Sequence, residues 1–222
     1  MSAEHRRRQG CLGNVSAALL LGGLSRRMGR DKAHLALAGV SFATRIAELL
    51  DRLYDEVLLV GGTPPSDAPG RPVPDVEDLA ASPCALRGLV TALAESRAER
   101  VQVVATDLPL VTADLLLALM AWPESQVVLP RDRWGIHPLC AVYRREPVLA
   151  AARTRLAAGE YRLRGLLAEL DVDYLEGDDL AAVDPDGAAL LNVNTPADLE
   201  RAEALTLERS SDPLWLGPST DG

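Results

Sequence analysis

Val15-Ser-Ala-Ala-Leu-Leu-Leu-Gly22-Gly-Leu-Ser-Arg-Arg-Met-Gly-Arg-Asp-Lys32 is an apolar run that stops at a pair of glycines and passes into a basic loop. An apolar run this continuous, ending at two glycines, reads as a buried strand entering a tight loop. Two glycines at its carboxyl end let the backbone approach a ligand closely and turn N–H groups toward anionic oxygens. Arg26, Arg27 and Lys32 then surround the same volume with positive charge. Lys32 is the one lysine among 23 basic residues. Its ammonium is a compact, rotatable point charge, whereas arginine is a planar fork, so phosphate oxygens that move during a reaction suit the lysine. The loop is not a Walker A motif, because Lys32 stands nine residues beyond Gly23 with no Ser or Thr after it. It is not the GxGxxG dinucleotide loop either.

The same alternation continues along the chain. Ser41 stands as a cap before a helix carrying Ile46, Leu49, Leu50 and Leu53 at helical spacing. Glu56-Val-Leu-Leu-Val-Gly-Gly62 reads as a second strand, followed by a Pro/Asp-rich loop over 63–74 and a helix over 86–96. A third strand, Val101–Ala105, closes with Thr106-Asp107-Leu-Pro109 before a helix over 112–121. Strands alternating with helices predict an α/β fold of three layers with a mostly parallel, doubly wound (Rossmann-like) sheet. After Gln126 the rhythm changes. Strands are expected at 126–130 and 139–143 around a loop at 131–138, then helices at 146–157 and 163–170. Short strands at 172–175 and Leu190-Leu191 precede a helix that Pro196 opens and that runs to about 205. The expected layout is a disordered arm (1–14), one domain (15–206) whose halves meet near residue 125, and a disordered tail (207–222).

Composition narrows the function. With 222 residues, 48% hydrophobic and 25% charged, the chain suits one soluble core. Aromatics make up 4%, so Leu, Val and Ala must build that core. A net charge of −9 argues against nucleic acid as a partner, and an anionic small substrate would need a locally positive site and a metal ion. Cys11, Cys84 and Cys140 show no CxxC spacing and no His or Asp context for nucleophilic work, which fits a reducing cytoplasm. The run from Val15 to Leu21 is too short for a secretory core segment or a membrane span, so no membrane partner is expected.

Three further constellations carry chemistry. Asp107 ends a buried strand and is held by a following Leu-Pro, a position suited to Mg²⁺ at the crevice of a parallel sheet. The stretch from Val73 through Asp75 to Ser82-Pro-Cys-Ala-Leu-Arg-Gly88 holds three closely spaced carboxylates, Asp75, Glu77 and Asp78. Leu190-Leu-Asn192-Val-Asn194-Thr-Pro196 places two of the chain's three asparagines in one motif, their amides on the same face of an extended segment. Thr195 can cap the helix that follows, with Asp198 in its first turn. His137-Pro138 precedes a strand, and Arg131, Arg133 and Trp134 before it can meet a phosphate and a flat ring or form a solvated lid.

These motifs, spread from about Val15 to Leu205, resemble the molybdenum cofactor guanylyltransferase (MobA) family of nucleotidyltransferases, whose loop reads L-x-G-G-x-x-x-R-M-G-x-D-K. The resemblance implies transfer of GMP from GTP to the terminal phosphate of molybdopterin that already carries molybdenum, giving the guanine dinucleotide form of the molybdenum cofactor, with Mg²⁺ as cofactor and pyrophosphate as the leaving group. It implies nucleotide contacts at Leu20, Leu21, Gly22, Gly23, Lys32, Gly61, Asp75 and Asp107, with Arg27, Lys32 and Asp107 catalytic and Asp107 on the metal. Relatives can carry Asn at the position of Gly61. It implies pterin-substrate contacts at His137, Asn192 and Asn194, in the half after residue 126. Cofactor-delivery proteins and molybdoenzymes are the implied protein partners. Cys84 and Ala85 stand between Pro83 and Leu86, where relatives have Gly-Pro-Leu-x-Gly, so this base-reading loop departs from the family pattern. Two other readings stay open: a nucleotidyltransferase such as molybdenum cofactor cytidylyltransferase, and a non-catalytic nucleotide-binding protein for cofactor delivery.

Overall fold

In the computed structural model, β1 (Val15–Leu20) is buried at every residue and pairs in parallel with β4 (Val57–Val60) on one side and β6 (Arg100–Ala105) on the other. The structure describes residues 14–21, 32–74, 84–121 and 124–210, leaving out the side chains of Lys32, Arg209 and Ser210. Successive β1 residues enter opposite faces: Ala17, Leu19 and Leu21 join one core cluster, Ala18 and Leu20 another. Both faces are therefore apolar, and the two-residue period of a strand vanishes into a continuous run.

The first face is covered by α1 (Phe42–Leu53) through Ile46, Ala47 and Leu50, and by α3 (Ala113–Ala118) through Leu115 and Leu116. The second is covered by α2 (Ala85–Glu95), α4 (Arg145–Ala157) and α5 (Leu163–Leu167), by way of Leu86, Leu89, Val148 and Leu166. Ser41 caps α1 by accepting from the Thr44 N–H at 3.0 Å. Thr112 caps α3 in the same way, accepting from the Leu115 N–H.

The strand order is β10-β7-β9-β6-β1-β4-β5, where β5 is Arg71–Val73, β7 is Val127–Asp132, β9 is Cys140–Arg144 and β10 is Val172–Leu175. From β1 the chain steps to β4 and β5, then crosses back to β6 on the other side of β1. The winding therefore reverses at β1, and a crevice opens outside the carboxyl ends of the strands at such a switch point. β9 runs antiparallel to both β6 and β7, which leaves β6 and β7 pointing the same way. The strand ends of both halves consequently lie along one rim of the sheet. β8 (Gly135–Ile136) folds back on β7 as a hairpin at that rim.

The expected three-layer, mostly parallel sheet is present, with several local corrections. Leu190-Leu191 is not a strand: Leu190 fills the first core cluster and Leu191 packs against a third. That third cluster joins Leu37, Phe42, Leu110, Val193 and Ala202. β5 lies inside the expected Pro/Asp-rich loop, at a sheet edge where Pro72 is tolerated. A small hairpin, β2 (Ala36–Leu37) with β3 (Val40–Ser41), precedes α1. The helix expected over 163–170 ends at Leu167, and α6 (Gly177–Val183) was not foreseen. α7 (Pro196–Ser210) continues beyond 205, so residues 207–210, assigned to a disordered tail, are helical. Thr206, in the turn past the expected end, is buried, and its hydroxyl donates to the Ala202 carbonyl at 2.8 Å. No helix among the described residues is long and apolar enough to cross a membrane.

Candidate active site

The ends of the central strands are fastened to one another. The Leu20 carbonyl accepts from both the backbone N–H (3.2 Å) and the hydroxyl (2.9 Å) of Thr106, while the Leu21 N–H donates to the Val60 carbonyl at 2.9 Å. Leu20 and Leu21 point into the two cores, so whatever they offer a ligand comes from backbone. Gly61 and Gly62 end β4 at φ of 70° and 55°. A Cβ on Gly62 would lie 3.1 Å from the Leu21 Cβ, so glycine answers both the turn and the close approach of two strand ends. Asp107 follows β6 half-buried, one residue after the Thr106 fastening. The backbone of Lys32 opens a 3₁₀ turn over Lys32–His34 that leads into the β2–β3 hairpin. Gly22, Gly23, Arg26, Arg27 and Asp75, with Glu77 and Asp78, lie outside the described residues. Of the expected nucleotide contacts, Leu20, Leu21, Gly61 and Asp107 thus gather at the carboxyl ends of three adjacent strands.

The second half contributes a cleft of about 730 Å³. One wall is the β7–β8 hairpin with His137; the other is α6 and the segment that follows it, as far as Asn192. His137 and Asn192 face this common space, whereas Asn194 is not among its lining residues. Asn194 is tied instead to the start of α7: its N–H and that of Thr195 donate to Asp198 Oδ2 at 3.0 and 2.8 Å. The Asp198 N–H donates back to Thr195 Oγ1 at 3.2 Å, a reciprocal capping arrangement. The Asn194 N–H, above all, holds the Asp198 carboxyl below the usual range, desolvation opposes it, and the Thr195 bonds add to it. Between the asparagines, Val193 is fully buried, and its N–H donates to the Asp107 carbonyl at 2.8 Å. One hydrogen bond thus sets the asparagine segment against the end of β6.

Charge around the cleft is organised in pairs. Arg131 forks onto Glu176, with Nη2 to Oε1 at 2.6 Å, and its guanidinium stacks over the Tyr174 ring at 4.1 Å. The hydrogen bond from Arg131 lowers the pKa of the Glu176 carboxyl. Cys140 is fully buried in the first core, and burial pushes its thiol up to about 12, as befits a small core residue rather than a nucleophile. Reading the sequence missed Asp132, Glu176 and α6 as parts of this cleft. The signal for Asp132 was present: an Asp three residues before a glycine favours a side-chain-capped turn.

The chain matches the MobA-like NTP transferase domain over residues 17–174. The chain belongs to the MobA-like family. It is a nucleotidyltransferase enzyme by that membership. It is 30% identical over 204 residues to a probable molybdenum cofactor guanylyltransferase of Pelotomaculum thermopropionicum, across 91% of this chain and 98% of that one. Molybdopterin-guanine dinucleotide biosynthesis protein A from Archaeoglobus fulgidus has a similar structure, with a TM-score of 0.75 and 22% identity over 87% of this chain and 99% of that one. The 2-C-methyl-D-erythritol 4-phosphate cytidylyltransferase of Thermus thermophilus shares the fold at a TM-score of 0.67 and 18% identity, over 87% of this chain and 98% of that one. The same fold thus occurs in proteins named for a guanine dinucleotide and for cytidylyl transfer, so architecture alone assigns no base. Within the MobA-like frame, the switch-point crevice at β1 and the cleft at the β7–β8 hairpin lie on the same rim.

Proposed function

We propose that this MobA-like enzyme transfers GMP from GTP to the terminal phosphate of molybdopterin, releasing pyrophosphate. The observation that carries the reading is the 2.8 Å bond from the Val193 N–H to the Asp107 carbonyl, because it joins the wall of the second cleft to the strand end of the nucleotide side. Two substrates that must meet phosphate to phosphate need two sites in contact, and this bond supports that arrangement. A phosphate oxygen of molybdopterin attacks the α-phosphorus of GTP; the bond from that phosphorus to the bridging β-phosphate oxygen breaks, and its electron pair leaves with pyrophosphate. The nucleophile is already anionic, so no strong base is required. Arg27 and Lys32 hold the triphosphate and neutralise the charge that develops on it. Gly22 and Gly23 present backbone N–H groups to the same oxygens. Asp75 reads the guanine edge, with Glu77 and Asp78 as alternatives. His137, Asn192 and Asn194 receive the molybdopterin side.

The half-exposed carboxylate of Asp107 suits Mg²⁺, a hard cation that commonly takes one or two protein carboxylates and completes its shell with substrate phosphates and water. When bound, the ion supplies charge neutralisation and alignment of phosphate oxygens. Asp107 would hold it, and the Val193 bond fixes the backbone from which that carboxylate projects.

Pyrophosphate release with molybdopterin, Mg²⁺ and either GTP or CTP tests the reading. GTP should support release and CTP should not. Turnover with CTP alone would transfer the assignment to a cytidylyltransferase, and release with neither nucleotide would leave a binding protein.

A further inference from the structure

The β7–β8 hairpin has a two-residue tip, Arg133-Trp134, between the paired residues Asp132 and Gly135. A single carboxylate organises it. Asp132 Oδ1 accepts from the N–H groups of Trp134 at 2.8 Å and Gly135 at 3.0 Å. Its other oxygen, Oδ2, lies 3.1 Å from His137 Nε2. Gly135 takes a φ of 130°, a region that favours glycine, so the turn is fixed by backbone as well as by side chain. The outcome is an indole held 77% exposed, more than any other large apolar side chain among the described residues. What singles out this tryptophan is its place on the cleft, where an indole offers a flat face to a planar ring. The Arg133 guanidinium lies 5.0 Å from the centroid of that ring. Trp134 and His137 both line the 730 Å³ cleft, as Asn192 does.

We propose that Asp132 is the positioning residue of this cleft, its carboxylate fixing the hairpin turn that stands the Trp134 indole at the rim, so that a flat heterocycle of the pterin class stacks on the indole. The inference rests on the reading in which this cleft receives molybdopterin. Stacking is tolerant of substituents and rewards a platform that is already in place, since ordering a loop on binding subtracts from affinity. Asp132, itself on the lining, provides that order in advance through the N–H groups of Trp134 and Gly135. Its removal should therefore weaken the pterin side while leaving the nucleotide side intact.

The experiment uses the full chain with Asp132→Ala, Asp132→Asn, Trp134→Ala and Trp134→Phe. Binding of pterin-6-carboxylate is followed by quenching of its own fluorescence, and KM is measured separately for GTP and molybdopterin. Trp134→Ala should weaken the probe roughly 5- to 150-fold, the range that loss of an aromatic stacking platform produces elsewhere. Asp132→Ala should weaken the probe at least about fivefold with the indole still present, and raise KM for molybdopterin but not for GTP. Asp132→Asn keeps an acceptor oxygen for the turn and should recover part of the loss, as Trp134→Phe should for the ring. Probe affinity and molybdopterin KM within twofold of wild type in Asp132→Ala overturn the inference. So does a parallel loss of GTP and probe binding together with a lowered melting temperature, the mark of a merely structural residue. A wild-type chain that fails to bind the probe overturns it as well. If wild type releases no pyrophosphate with either nucleotide, the proposed reaction falls, and the probe titration alone still decides the role of Asp132.

Discussion

Replacing Asp198 with alanine removes one oxygen that serves two backbone donors. Oδ2 accepts from the N–H groups of Asn194 and Thr195, both unpaired by the helix they precede. The return bond from the Asp198 N–H to Thr195 Oγ1 remains, so the cap is half dismantled rather than abolished. Losing a capping side chain costs about 0.5–2 kcal/mol, and the carboxylate also meets the positive end of α7. A net loss of about 1–2 kcal/mol near pH 7 follows, or about 2–8 °C in melting temperature for a domain of 150–250 residues. The pH dependence has a definite sign. The folded-state value is depressed by the Asn194 N–H, so the contribution is complete above the ordinary aspartate value of about 3.9 and is lost as pH falls through the lower folded value. Urea unfolding of wild type and Asp198→Ala at a series of pH values checks this: the gap in midpoint is full near neutrality and closes in acid. Midpoints that coincide near pH 7, or a gap that acid leaves unchanged, would refute the reasoning.

Three other substitutions probe different links. Lys32→Arg replaces a point charge with a fork and should lower kcat of pyrophosphate release by about 10²-fold, the scale of losing one charge-stabilising donor; near-normal turnover removes Lys32 from the triphosphate. Phe42→Ala empties the centre of the third cluster, where the chain's one phenylalanine is fully buried with Leu37, Leu110 and Val193. It should cost about 3–5 kcal/mol in denaturant unfolding, and a cost below about 1 kcal/mol would contradict that packing. Gly62→Ala must adopt a φ of 55° with its Cβ 3.1 Å from the Leu21 Cβ. It should destabilise by about 1–2 kcal/mol and weaken GTP binding in a thermal-shift titration; an unchanged midpoint argues against this close approach.

The parts of the fold that could be read from sequence are those where one residue pattern has one physical meaning. β1 and β4 are apolar runs that end in glycines, β6 is apolar but for Arg100 and Gln102 and leads into Thr106-Asp107, and each forms close to its expected bounds. Ser41, Thr112 and Thr195 cap helices because their hydroxyls have few other uses at those positions. What escaped is what depends on distant partners. The direction of β9 is set by its neighbours β6 and β7, and nothing within Cys140–Arg144 encodes it. Leu190-Leu191 is apolar because it plugs clusters, not because it pairs. α6 buries little beyond Leu180, so it offers no apolar stripe to detect. At the site, His137 and Asn192, which only the family resemblance put on one side, line one cleft, whereas Asn194 is not among its lining residues and its N–H donates to Asp198 at the start of α7. Asp132 went unnoticed because its work is done on backbone N–H groups two and three residues away.

The central position of β1 also sets an order of events during synthesis. β4 and β5 can join β1 as soon as residue 73 has left the ribosome, but the other edge of β1 stays open until β6 emerges, through Ala105. Until then the nascent chain carries an unpaired edge that is apolar on both faces, the kind of surface that recruits other strands. Truncations ending before residue 105 should therefore collect in insoluble aggregates, while chains that extend past it can close the sheet. A chaperone that binds short apolar strands would find its target in Val15–Leu20.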